Sequence, residues 1–516
     1  MKRAYYIALL LLFCHITNGY SQNIDDALRF NQYEITGTAR SISMANAFSA
    51  LGGDLSAISI NPAAIAVYRT SEFSFTPGIN YDKSNANYQN LNHSDDKYSF
   101  SFNQIGGVST YKPLRESEKG LISTHFGFNY TRTANFNRNT GISLRNNVKD
   151  VYDGGLIKEA NTLLTNIYLE ANGTLPQNLS GRAKWAYETY LIDALEEGSD
   201  QYLTAYEGLD ESTGQIFPRN THGVNQQKNI ETSGYAGEYA LTYGANISNR
   251  FLLGGSLNFQ SLHYNERSAF REINHNGLDP AYVTDLDYYD SYLNLSQDGF
   301  GVNGKIGAIF NFHPLRFGVS FHTPTFYNMK ESYYEGINAY YLDREAFKDR
   351  SSTSNFKYNY RTPYRAEAGV AFVIGKIGLI SVDYELTDHT SSKFKSKGGY
   401  ETHFDKLNTQ ISDQLKVTHN FRAGFEVKPI SYLALRGGFA YFDSPIKDEY
   451  VINTPTHMIY SGGVGYRAKN FFLDMAYSYK DQSRDFFVEE SGLTFNDPVK
   501  IDNSTSQFAM TFGWKF

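Results

Sequence analysis

The chain of 516 residues carries 47 Lys and Arg against 54 Asp and Glu, a net charge of −7, with one cysteine and a mean hydropathy of −0.45. That acidic balance weighs against a nucleic-acid partner, and a single cysteine leaves no disulfide framework. Past the N-terminal leader no apolar run of about 18 residues occurs, which excludes helical membrane spans. Yet 41 Tyr and 37 Phe are a heavy aromatic load for so polar a chain. Strands alternating lipid-facing apolar and lumen-facing polar residues, between aromatic girdles, reconcile the two.

Lys2-Arg3 and the apolar run Ala4 to Phe13 read as a secretory signal, residues 1–21, ending before Gln22. Cys14 follows Phe13, a residue too large for a lipoprotein cleavage site. Loss of the leader removes the only cysteine and moves the net charge to −9. Residues 22–70 follow as a separate unit. From Gly37 to Tyr68 they are crowded with Ala, Ser and Gly, and small residues let backbones approach closely, so the segment is expected to fill a confined space. Within it Asn61-Pro62-Ala63-Ala64 is a helix start: Asn caps free amides and Pro is preorganised at the first helical position.

Residues 71–516 contain fourteen candidate strands, at about 72–82, 98–112, 120–135, 235–248, 250–266, 291–313, 315–332, 355–374, 376–396, 417–429, 431–447, 457–469, 470–488 and 503–516. The last is the clearest. Phe508, Met510, Phe512, Trp514 and Phe516 are large and apolar, and the residues between them are small or polar. Its aromatic end, Phe516, resembles the signal by which the barrel assembly machinery recognises outer-membrane barrels. Parity places Glu238, Arg316, Arg365, Glu367, Asp383, Glu385, Arg422, Glu426, Arg436 and Asp474 in the lumen, where mixed charges pair with one another or with a plug. Connections after even strands are short and those after odd strands long, the rhythm of a barrel with both termini at its periplasmic end.

One outer connection, 136–234, is too long to be structureless and is therefore expected to be functional. Leu156, Ala160, Leu163, Leu164 and Ile167 recur at helical spacing, as do Tyr187, Tyr190, Leu191, Ala194 and Leu195 beside Trp185. Such faces either cover each other and the barrel mouth or leave an apolar groove for a ligand.

A small-residue N-terminal plug with Asn61-Pro62-Ala63, ahead of fourteen strands, resembles the outer-membrane long-chain fatty acid transporter family, which includes the aromatic-hydrocarbon transporters. Gly37-Thr38-Ala39-Arg40-Ser41 and Ala50-Leu51-Gly52-Gly53-Asp54 are similar to its hatch, and Thr362-Pro363-Tyr364-Arg365 and the stretch Leu433 to Gly438 to its barrel motifs. The resemblance covers the mature chain. It implies a 14-stranded antiparallel barrel in the outer membrane, plugged by a hatch that holds Gly52, Gly53, Asn61, Pro62 and Ala63. It also implies passive uptake of fatty acids or aromatic hydrocarbons: outer loops capture the ligand, a site above the hatch receives it, and an inward kink of the third strand releases it sideways into the membrane. Such transfer between apolar surfaces is favourable without an energy source. Candidate ligand contacts are Leu163, Ile167, Trp185, Tyr187, Tyr190 and Leu191 of the long loop, with Arg365, Arg422 and Arg436 for a carboxylate. Gly127 and Asn129 are candidates for the kink, since strand Gly marks bends. In the family the prominent capturing loops follow the fifth and seventh strands; here the long loop follows the third.

Other chemistry is poorly supported. Gly299 to Gly304 spells a dinucleotide fingerprint inside an alternating strand with no helix after it. Asp285, Asp287 and Asp290 read as a solvated acidic loop rather than a calcium site. No catalytic residue, cofactor or metal is expected. The alternatives are a polar-solute porin and, with His125 and His322 on lumen-facing parities, a barrel lipid hydrolase or protease needing a nucleophile beside such a base. The partners implied are a hydrophobic small molecule and outer-membrane lipid, with the chain a monomer.

Overall fold

In the computed structural model the described residues are 22–516, apart from 89–90, 114–118, 146–162, 211, 214, 219–223, 275–283, 398–400, 451–455, 487, 491–492 and 495–497. The signal segment 1–21 and the loop positions Leu156 and Ala160 lie outside them. Fourteen antiparallel wall strands follow one another: β1 (Glu72–Tyr88), β2 (Leu91–Tyr111), β3 (Leu121–Asn135, resumed at Arg138–Arg145), β4 (Val224–Ile247), β5 (Phe251–Asn274), β6 (Leu286–Phe312) and β7 (Leu315–His322, resumed at Phe326–Tyr341). Then come β8 (Ser354–Arg361 and Arg365–Ile374), β9 (Gly378–Asp388 and Lys393–Ser396), β10 (Val417–Ile430), β11 (Leu433–Phe442), β12 (His457–Arg467), β13 (Phe471–Phe486) and β14 (Val499–Lys515). Each pairs with the next, and β14 pairs with β1 from Glu72 opposite Lys515 to Asn87 opposite Lys500, closing the cylinder. Closure removes the sheet edges that lipid could not satisfy.

Alternation decides which side faces lipid. On β14, Phe508 and Trp514 are exposed while Ala509 and Thr511 are buried. At the closing seam Phe75 stacks on Phe512 at 5.2 Å. The inner faces carry the charges that parity put there: Glu238, Glu367, Asp383, Glu385, Arg422, Glu426, Arg436 and Asp474 are all buried. The first outer connection is tighter than expected, because β1 runs on to Tyr88 and β2 begins again at Leu91. Beyond Asp82 the outer face turns polar, with Lys83, Asn85 and Asn87, while Ala86 and Tyr88 stay buried inside, so no apolar band marks the outside although the ladder continues. No described helix is long and apolar enough to cross a membrane.

Inside the cylinder the N-terminal segment folds as α1 (Ile24–Phe30), α2 (Ala39–Ser43), α3 (Ala57–Ile60) and the 3₁₀ turn Pro62–Val67. Asn23 and Asp26 form a reciprocal capping box on α1, and Thr38 caps α2. At the opposite end from the short turns, α4 (Leu163–Ala171), α5 (Gly181–Glu188) and α6 (Glu401–Gln414) pack over the mouth.

Candidate functional site

The floor of the site is set by Asn61. Its Oδ1 accepts from the Ala63 amide at 3.0 Å, the expected cap, although the turn that follows is 3₁₀ rather than α. Its Nδ2 donates to the carbonyls of Ser49 (2.7 Å), Ala308 and Val319 (both 3.3 Å), so one side chain starts the turn and ties it to β6 and β7. Pro62 and Ala63 lie so close to the wall that a Cβ on Gly254 of β5 would run into their backbone, and one on Gly307 of β6 would meet Asn61. Gly318, Gly424 and Gly438 receive Ser49, Met44 and Ala45 in the same way. Gly52 and Gly53, both at φ +66°, make the left-handed turn that returns the segment toward Asp54. Polar ties complete the seat: Lys305 to Glu238 (2.6 Å) and the Ser59 carbonyl (2.8 Å), Arg40 to Glu426 (3.0 Å), and the Ser49 amide to Asp383 (2.7 Å).

Above this seat, α1 and the inner wall enclose a cavity of about 750 Å³. Apolar and aromatic groups such as Tyr33, Phe136, Tyr264 and Leu293 share its lining with many charges. Most of the charges are paired. Arg138 meets Asp82 at 2.7 Å, Lys480 meets Glu34 at 2.9 Å, and Arg29 meets Asp26 at 2.6 Å while lying 3.7 Å over the Tyr264 ring. Burial pushes the Asp26 carboxyl up to about 6, with Arg29 opposing. Arg365 stacks on Tyr33 at 3.6 Å and lies 3.8 Å from Glu385. Arg484 differs: it lines the cavity, its Nε is enclosed without a hydrogen-bond partner, and no ion pair joins it among the described residues.

The cavity reaches a break in the wall. β2 and β3 pair only from Gln104 opposite Thr131 to Tyr111 opposite Thr124. Beyond that point β2 stays on β1, while β3 bends at Phe136-Asn137 and continues on the β4 ladder from Arg138 opposite Thr232. This outer part of β3 crosses the inner face of β1, with Arg138 on Asp82 and Thr140 within 3.4 Å of Ser84. Its freed backbone edge is taken up by the N-terminal segment. The Glu34 amide donates to the Thr133 carbonyl (2.8 Å), the Asn135 amide to the Glu34 carboxylate (3.0 Å), and the Thr36 hydroxyl to the Arg132 carbonyl. On the outer face of the parted β2 stand Tyr98, Phe100 and Phe102, 71%, 61% and 57% exposed. Across the gap the Asn135 side-chain amide donates to Ser99 Oγ at 3.3 Å.

The sequence candidates distribute unevenly around this geometry. Gly127 and Asn129 sit in the paired part of β3: a Cβ on Gly127 would press on Ile65, and Asn129 accepts from Gln104 and donates to Thr131. The bend lies further along, at Phe136-Asn137. Arg422 is held by Glu367 (3.0 Å) and Glu385 (3.1 Å), and Arg436 by Glu426 (2.7 Å) and Asp474 (2.8 Å). Arg365 alone of the three lines the cavity. Leu163, Ile167, Trp185 and Leu191 are interior to one apolar core with Phe270, Tyr289 and Tyr341. Tyr187 packs edge-on to Tyr202, and Tyr190, half exposed at φ +59°, rests on Phe347. These faces cover each other and the mouth, and from α5 it is Arg182 that reaches the cavity. Leu191→Asp is therefore expected to loosen the cap by about 3 kcal/mol or more. New protease cuts between 163 and 218, with the barrel still intact, would show it; an unchanged digest would contradict the packing.

Two features escaped the sequence reading although their signals were present. Arg484 follows Asp474 at even spacing and so shares its inner face. In α6, Phe404, Leu407 and Ile411 recur at helical spacing, and they bury against Tyr358, Phe394 and α1. His322 Nε2–H donates to the Ile60 carbonyl of the plug (2.8 Å), and His125 lies between Thr110 (3.1 Å) and Ser123 (2.9 Å), both histidines buried.

The closed fourteen-stranded barrel is a fold that this chain shares with solved FadL-like structures. A FadL homologue from Pseudomonas aeruginosa is similar over 94% of this chain and 100% of its own, at 13% identity and a TM-score of 0.52. A deletion mutant of the TodX monoaromatic hydrocarbon channel is similar over 93% and 98%, at 12% identity and a TM-score of 0.50. At such identities the likeness is one of fold. No family model and no curated protein matches the chain.

Proposed function

We propose that this protein sits in the outer membrane with both termini periplasmic and carries hydrophobic or amphipathic small molecules passively from outside into the bilayer. The observation that carries this reading is the continuity between cavity and wall break: Asn135, Phe136, Arg138 and Thr140 line the cavity and also form the bend of β3. A ligand entering there meets an exit at membrane height, marked by Tyr98, Phe100 and Phe102. Residues 22–70 act as the hatch. Because Glu34 and Thr36 hold the freed edge of β3, movement of the hatch and widening of the gap are one event. One neighbour of like fold is named as a monoaromatic hydrocarbon channel, which favours transport over catalysis.

The unpaired cation in the cavity indicates an acidic head on an apolar tail. Arg484→Gln is expected to weaken binding of a long-chain carboxylate by about tenfold, the loss of one charge-assisted hydrogen bond of roughly 1.5 kcal/mol. A neutral hydrocarbon should bind as before. Equal loss for both ligands, in a binding titration on purified protein, would remove Arg484 from the site.

A further inference from the structure

Charges on the outer wall above the apolar band mostly face opposite charges. Lys83 lies opposite Asp96, Arg271 opposite Asp290 and Asp485 opposite Lys500. The wall formed by β7, β8 and β9 breaks this pattern. There Lys330 is directly opposite Lys357, and Arg361 is directly opposite Lys393. Lys395 lies one position further out, opposite Asn359. All five cations are exposed, while their neighbours Met329, Tyr358, Tyr360 and Phe394 turn inward and are buried. Among the described residues none of the five is in an ion pair; Arg361 donates to the Ser391 carbonyl. Asp298, the acid in register with Lys330 on the β6 side, is bound at 2.5 Å to His263. Like charges directly opposite on one sheet face repel, so the arrangement is unfavourable without a counter-charge from outside the protein.

The height of the patch identifies that counter-charge. Arg361 is directly opposite Phe326, which is 63% exposed and is the outermost residue of the apolar surface made by Phe317, Val319 and Phe321. Four residues separate Arg361 from Lys357, about 13 Å along an extended strand and less in height once strands tilt. The cations thus occupy the layer immediately beyond the hydrocarbon, where lipid head groups lie. We propose that this face of the wall binds the phosphorylated head groups of lipid in the outer leaflet, two or more phosphates bridging the opposed cation pairs. The proposal rests on the orientation given under the proposed function, with the short turns and termini on the periplasmic side. Cations at a membrane surface each strengthen attraction to anionic lipid by about fivefold.

The test uses the purified full chain and native mass spectrometry, with a diphosphorylated lipid A, phosphatidylcholine and inorganic phosphate as separate probes. Wild type is expected to retain the diphosphorylated lipid, less so at high salt, and to retain little phosphatidylcholine or free phosphate. The variant K330Q/K357Q/K393Q/K395Q is expected to lose that lipid by well over tenfold, whereas K83Q/K500Q on another wall behaves as wild type. Equal retention by the quadruple variant overturns the proposal, as does retention of free phosphate in place of the lipid. Should the quadruple variant not fold, salt-insensitive retention by wild type overturns it equally. Uptake of an apolar probe is measured in parallel. Lost lipid selectivity with uptake intact would refute the patch alone, and selective lipid retention without uptake would refute the transport reading alone.

Discussion

Joining β2 to β3 across their gap is expected to stop uptake. The substitutions Ser99→Cys and Asn135→Cys place two thiols on side chains that now touch at 3.3 Å, and the only other cysteine in the sequence is Cys14, in the segment expected to be cleaved as a leader. Bridged by oxidation or by a short bis-thiol reagent, the strands cannot part, and transport of a hydrophobic probe into cells should fall to the level of a strain lacking the protein. Reduction of the oxidised form should restore it. The effect is expected to be large because β2 and β3 share no ladder beyond Gln104 opposite Thr131, and the cavity-lining Asn135, Phe136, Arg138 and Thr140 stand at that break. Full uptake by the bridged protein would place the exit elsewhere.

The second large effect concerns the hatch. Gly254 and Gly255 are adjacent on β5 and face opposite sides. A Cβ on Gly254 would collide with the Pro62 backbone, whereas one on Gly255 would meet nothing closer than 3.7 Å. Gly254→Val should unseat the hatch at a cost of about 1–3 kcal/mol or more, because backbone rather than a flexible side chain stands in the way. Single-channel steps should then appear in planar bilayers, where wild type is expected to pass almost no current. Gly255→Val should leave the bilayer silent. Open-channel steps from wild type itself would favour the polar-solute porin.

Much of this architecture was legible because a lipid-facing wall writes its parity into the chain. Phe508, Met510, Phe512, Trp514 and Phe516 orient the last strand without any partner in view, and the same rule put Glu238, Asp383 and Asp474 inside. The outer halves of β1 and β2 were not legible, since Lys83, Asn85 and Asn87 put polar groups where a lipid-facing strand would be apolar, and the ladder is what shows them extended. The bend of β3 was misplaced for a different reason. Nothing at Phe136-Asn137 announces it locally; it exists because Glu34 and Thr36, about a hundred residues earlier, satisfy the edge that β2 gives up. The loop helices showed their apolar faces but not what those faces touch, and burial against Phe270, Tyr289 and Tyr341 makes Trp185 and Leu191 a roof's interior. Arg422 and Arg436 looked like carboxylate receptors by parity alone, whereas ion pairing within the wall already engages both.

Departure of ligand through the side of the cylinder is read directly by photolabelling. A fatty acid carrying a diazirine at its tail, bound to the protein in lipid nanodiscs and illuminated, should mark Phe136 in the cavity and Tyr98, Phe100 and Phe102 on the outer face of β2. Labels confined to the periplasmic side of the plug, with none on β2, would mean that the ligand passes straight down and would contradict lateral release.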